Sequence, residues 1–195
     1  MSGHTAFSAD GHSATWTTWD SSATEQLTLR WENEGWTATG EVERENVQYV
    51  LRLSATWQVQ QFLLFRDLDE PDLWLATDGS ARWGEMNGAH RIELDGCYDI
   101  ALSITPFTDT LPMRRLPLHV GDSADLAVAH VDIETLGIVR QRRRYERVGE
   151  RTWNVEQFGT GDGESEVTQS TRSVSFEVDE FGLTLDYPER FRRIA

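Results

Sequence analysis

Val47-Gln48-Tyr49-Val50-Leu51-Arg52-Leu53-Ser54 is the stretch on which the fold turns. Val47, Tyr49, Leu51 and Leu53 take every second position, with Gln48, Val50, Arg52 and Ser54 between them. Successive side chains of a strand point to opposite faces, so a period of two buries one face and leaves the other largely polar. A helix would scatter the same four apolar side chains around its axis.

The signal repeats on both sides of this stretch. Upstream, Ser13 to Trp19 reads as a first strand. Leu27, Leu29 and Trp31 alternate with Thr28 and Arg30, and Asn33-Glu34-Gly35 turns the chain into Trp36 to Glu43. Downstream, Trp57 and Val59 lead into Phe62 to Phe65, and Leu73 to Thr77 and Ala81 to Met86 flank Asp78-Gly79, a hairpin signal. The second half adds a short strand at Ile92 and Leu94, then Tyr98 to Ile104, Leu116 to Val120, Leu126 to Val131, Ile138 to Val148, Trp153 to Phe158, Val174 to Val178 and Leu183 to Tyr187. About a dozen strands separated by turns predict an all-β chain. No stretch shows sustained helical periodicity with caps, and a short helix fits only around Phe107 to Leu111. Residues 1–12, rich in Ser, Gly and Ala, read as a flexible start, and residues 13–195 as one β domain. Gly159 to Ser165 reads as a mobile loop.

So many antiparallel strands must close or curl, because open edges pair with other chains. The expectation is a single curled antiparallel meander sheet, barrel-like or half-barrel, with room for a central cavity. Eight Trp and eight Phe are many for one sheet. Any single Trp ordinarily fills core. As a set, Tyr49, Trp57, Trp74 and Trp83 are candidates to line a cavity for an apolar chain.

The 195 residues include 33 acidic and 18 basic side chains, for a net charge of −15, and every basic one is Arg. This excess of carboxylates argues against a nucleic-acid binder, which needs a cationic face. With no Lys at all, it points to a protein adapted to high salt, where the Debye length is about 3 Å at 1 M and carboxylate repulsion is screened. One cysteine, Cys97, allows no internal disulfide and is expected to be a buried small hydrophobe. No signal-like start and no long apolar run is present, so a cytoplasmic location without an integral membrane segment is expected. The five histidines have no metal spacing, and no phosphate-loop, dinucleotide or nucleophile-elbow motif occurs, so no metal and no cofactor is expected. Oligomeric state is not legible. On Ile138 to Val148, alternation puts Arg140, Arg142 and Arg144 on one face and Arg143 and Arg147 on the other. The expected role is a solvated strand paired with the abundant carboxylates.

Residues 97 to 118 do not read as a generic hairpin. Pro106 and Pro112 bracket Thr108-Asp109-Thr110, two arginines follow, and Asp99 sits on the strand before. A strand Asp in a core needs a partner, and Arg114 or Arg115 could supply one. Asp99, Asp109, Arg114 and Arg115 either hold a polar head group, with Thr105 and Thr108 beside them, or pin the loop across the sheet.

This segment resembles the putative glycolipid-binding protein family. Its approximate pattern is met by Cys97, Asp99, Leu102, Thr105, Pro106, Thr108, Thr110, Leu111, Pro112, Arg114, Arg115 and Leu116. Asp109 stands where the pattern has Asn, exchanging two amide donors for an acceptor, and Met113 where it has Ile. Gly40, Tyr49 and Trp57 resemble the family's early strands, Trp74, Asp78-Gly79 and Trp83 its Trp-rich hairpin, and Asp179, Gly182, Leu183, Tyr187 and Pro188 its ending, so the resemblance spans roughly residues 13 to 190. The family implies a curled, barrel-like sheet and the binding of a glycolipid or similar amphiphile without catalysis, which is fold-level analogy. The alternative is a hydrolase or isomerase on a small lipid-like or sugar substrate, with Asp99 as acid or base and Arg114 as anion stabiliser.

Overall fold

The computed structural model describes residues 3–43, 46–66, 70–159 and 170–195. In chain order these form β1 (His12–Thr18), β2 (Thr24–Glu32), β3 (Gly35–Val42), β4 (Val47–Ser54), β5 (Val59–Arg66), β6 (Leu73–Thr77) and β7 (Trp83–Glu85). A 3-10 turn at Ile92–Leu94 leads to β8 (Cys97–Leu102) and α1 (Phe107–Arg115). Then come β9 (Ser123–Val131), β10 (Ile138–Arg147), β11 (Thr152–Phe158), β12 (Ser170–Glu177), β13 (Asp186–Tyr187) and β14 (Phe191–Arg193). The Gly159 to Ser165 loop, past Gly159, lies outside the described residues.

The chain is mostly β and curled, as the alternation predicts. From β1 to β7 it is an unbroken antiparallel meander, and β14 and β13 add to its β1 edge to give nine strands. A second, five-stranded sheet runs β12-β11-β10-β9-β8. Neither sheet closes on itself, and the two share one core. Trp16, Leu27, Leu51, Phe62 and Leu75 of the first sheet join Val131, Tyr145, Trp153 and Phe176 of the second. The arrangement is a half-barrel.

Two features go beyond the meander. β8 runs parallel to β9, with Cys97 opposite Ala127 and Leu102 opposite Val131. Parallel neighbours need a crossover of a dozen or more residues, usually helical, and the segment containing α1 supplies it. Secondly, α1 sits between the sheets, where the sequence left room for a cavity. Its residues Phe107 to Met113 are all buried.

Candidate functional site

The proline-bracketed motif becomes α1 through local hydrogen bonds. Thr105 Oγ1 accepts the Phe107 N–H at 2.9 Å, satisfying a donor at the helix start. Thr108 Oγ1 accepts the Leu102 N–H at 3.3 Å and ties the first turn back to β8. Pro112 has no N–H to give, and the helix ends at Arg115, with the Leu116 N–H on the Pro112 carbonyl at 2.9 Å.

The motif's polar side chains bind α1 to its walls. Asp109, 5% exposed, accepts the Tyr145 hydroxyl at 2.6 Å and Arg143 Nη1 at 3.0 Å. Arg143, 4% exposed, comes from the inward face of β10, and the outward Arg142 and Arg144 both pair with Asp125. The alternation of that strand is therefore as expected, but β10 is an interior strand whose Arg143 and Arg147 are buried, so only its outward face is the solvated one. Arg115 donates from Nε and Nη2 to the two oxygens of Asp99, which is fully buried. Burial pushes the Asp99 carboxyl pKa up, and Arg115 pulls it back. Thr110 Oγ1 donates to the Gly182 carbonyl at 3.0 Å.

Arg114 goes elsewhere. Its guanidinium lies 4.6 Å from the Phe7 ring centroid and 4.5 Å from that of Trp57, and Nη1 donates to the Thr5 and Phe181 carbonyls. Burial lowers its pKa to about 10. Trp57 reaches this position from the β4–β5 turn with φ +69°, a left-handed conformation that a bulky residue rarely adopts. So Asp99 and Arg114, the pair considered for catalysis, have different partners.

The other end of α1 faces an opening. A cavity of ≈ 230 Å³ is lined by Thr18, Ala23, Val42, Ser103, Ile104, Arg190 and Phe191. Arg190 donates to the Ser103 carbonyl and lies 5.2 Å from the Phe191 ring, and it makes no ion pair among the described residues. Burial lowers its pKa below that of an ordinary arginine. Beside the cavity wall sits Glu25, 3% exposed, directly across from Val42 and two residues after Ala23, which immediately precedes β2. The Tyr49 hydroxyl donates to Glu25 Oε1 at 2.6 Å and lies 3.3 Å from Thr105 Oγ1. Glu25 Oε2 is buried without a hydrogen-bond partner. Burial raises the Glu25 pKa to about 7. Gly40 makes room for this cluster, since a Cβ there would run into the Tyr49 ring.

The candidate residues thus fall in separate places. Tyr49 and Thr105 meet at the cavity end, Arg114 and Trp57 meet at the far end, and Asp99, Asp109, Arg115 and Thr108 anchor α1. Trp83 is core, its indole N–H on the Cys97 carbonyl at 2.7 Å. Trp74 is half-buried on the opposite face of its strand from the core residue Leu75, beside Leu63. Sequence reasoning missed Glu25 and Arg190. The first had a signal, because Ala23, Glu25, Leu27 and Leu29 share one parity and put a carboxylate in core register. Arg190 had none. Cys97 is buried and its thiol is pushed up to about 11 by burial. Among the described residues no group of three metal-ligating side chains occurs, and no helix is long and apolar enough to cross a membrane.

A family model described as "Putative glycolipid-binding" matches residues 13–193. Among solved structures, a DUF1089 family protein from Pseudomonas aeruginosa superposes with a TM-score of 0.69 at 26% identity, over 87% of this chain and 92% of that one. No curated protein matches.

Proposed function

This chain belongs to the family described as putative glycolipid-binding, and we propose that it holds an amphiphile, without catalysis, in the cavity beside Glu25. The observation that carries this reading is an apolar cavity lined by a cation with no ion pair among the described residues. Ala23, Val42, Ile104 and Phe191 offer apolar surface, while Arg190 has a carbonyl and aromatic rings for neighbours. A guanidinium in that position is suited to a phosphate, a carboxylate or sugar hydroxyls. Each methylene buried beside it contributes about 0.8 kcal/mol. At ≈ 230 Å³ the cavity is below the usual size for a whole drug-like ligand, so it takes the end of a molecule whose remainder lies outside. A glycolipid or related amphiphile meets these requirements.

The test is mass spectrometry of an organic extract from protein purified in high salt from its own host. One amphiphile at near-stoichiometric amount is expected, reduced at least tenfold in a folded Arg190→Gln variant. A folded protein with an empty extract and no uptake from host lipids would overturn the proposal.

A further inference from the structure

Residues 3–9 form neither helix nor strand, yet they cross the C-terminal end of α1. The Thr5 N–H reaches the Glu180 carbonyl at 2.7 Å, and the Thr5 carbonyl accepts Arg114 Nη1 at 3.2 Å. Phe7, 7% exposed, completes an aromatic box. Its ring centroid lies 5.0 Å from Phe181, 5.4 Å from Trp57 and 5.7 Å from Trp36. Arg114 sits over both Phe7 and Trp57 and makes no ion pair among the described residues, and its Nε is buried with no hydrogen-bond partner.

Arg114 is half-buried, and a guanidinium taken partly out of water ordinarily meets a carboxylate or a full set of acceptors. This one hydrogen-bonds main-chain carbonyls, one of them from the strap, and lies over rings, one of them also from the strap, while the Asp179 carboxylate acts on it from nearby without pairing with it. A carbonyl oxygen on a guanidinium with an apolar ring beside it is what an anionic amphiphile would present, less the charge. The strap has no ladder of main-chain bonds: the Thr5 hydrogen bonds, the Phe7 ring and His4, stacked on Trp153, hold it, so removing Phe7 or the Thr5 N–H lowers the free energy at which it opens.

We propose that the slot under residues 3–9 is a second ligand site, selective for an anionic single-chain amphiphile. The head group would replace the Thr5 carbonyl on Arg114, and the chain would replace the Phe7 ring against Trp36, Trp57 and Phe181. This site is distinct from the Arg190 cavity, since about 12 Å of helix separates Pro106 from Arg114.

The experiment is calorimetric titration with dodecyl phosphate below its micelle concentration. The unaltered chain is compared with Phe7→Ala and with Thr5→Pro, which removes the N–H that holds the strap. Each variant is expected to bind at least tenfold tighter. That gain should vanish when Arg114→Gln is added and persist when Arg190→Gln is added, which separates this slot from the Arg190 cavity. Dodecanol, without the charge, should gain less. No gain in either folded variant, or a gain that survives Arg114→Gln, overturns the proposal. Should both variants fail to fold, hydrogen exchange on the unaltered chain decides. Saturating dodecyl phosphate should lower protection of the Thr5 amide, and unchanged protection overturns the proposal.

Discussion

Glu25 combines complete burial with no ion-pair partner among the described residues, so its ionisation must be read in the stability of the fold. Its pKa is 4.5 as a free side chain and about 7 in the folded protein, because burial penalises the charged form. A raised acid holds its proton longer in the folded state. Its contribution is therefore fully present below pH 4.5 and is lost as pH rises through about 7. The loss amounts to about 3 kcal/mol across that window. Glu25→Gln keeps an acceptor for the Tyr49 hydroxyl and cannot ionise. The variant's Tm minus that of the unaltered chain is expected to grow by several degrees between pH 4.5 and pH 8, at about 2–4 °C per kcal/mol for a chain of this length. A difference that stays flat with pH would mean that the carboxyl titrates normally. Glu25 could be suspected from the parity of β2. Its lack of a cation could not, because its neighbour Tyr49 lies 24 residues further along the chain and Thr105 further still.

Among the elements, α1 starts where the sequence admits a short helix, at Phe107, but its pattern does not announce that it is buried. A surface helix shows a stripe of apolar residues, whereas α1 is buried on all sides and mixes Phe107, Leu111 and Met113 with Thr108, Asp109 and Thr110. Pro112 further disguises it, since an internal proline removes a helical hydrogen bond. What holds α1 is its set of ties to β8, β10 and the turn at Gly182. Asp109→Ala would leave Arg143 without its counter-charge in the core and Tyr145 without its acceptor. The expected cost is about 3–5 kcal/mol in urea unfolding, and a cost below about 1 kcal/mol would show that this tie is solvated. Most strands were legible because their period is local, but Leu116 to Val120, whose alternation reads as a strand, forms none, and the short β14 (Phe191–Arg193) carries too few residues to show a period. The parallel pairing of β8 with β9 was not legible, because it depends on α1 forming the crossover.

At the scale of the whole molecule, a charge of −15 with Arg as the only base opposes compaction through self-repulsion. The pairs Arg143 to Asp109 and Arg115 to Asp99 each withdraw one charge of either sign, so the whole excess of carboxylates remains for the rest of the molecule. Tm is expected to rise by several degrees between about 0.15 M and about 2 M KCl, as the screening length falls to about 3 Å or less. A flat or falling Tm in a salt series would remove the argument for adaptation to high salt. The sequence by itself determined what local rules encode: an all-β curled chain, the parity of most strands and the family motif. Strand alternation repeats every two residues and needs no distant partner to be read. Only the tertiary structure decided what fills the centre, which carboxylate meets which arginine, and which arginines among the described residues are left without one. Those outcomes depend on side chains from distant parts of the chain being brought under shared burial, where an unpaired charge is costly and the choice of partner follows from geometry.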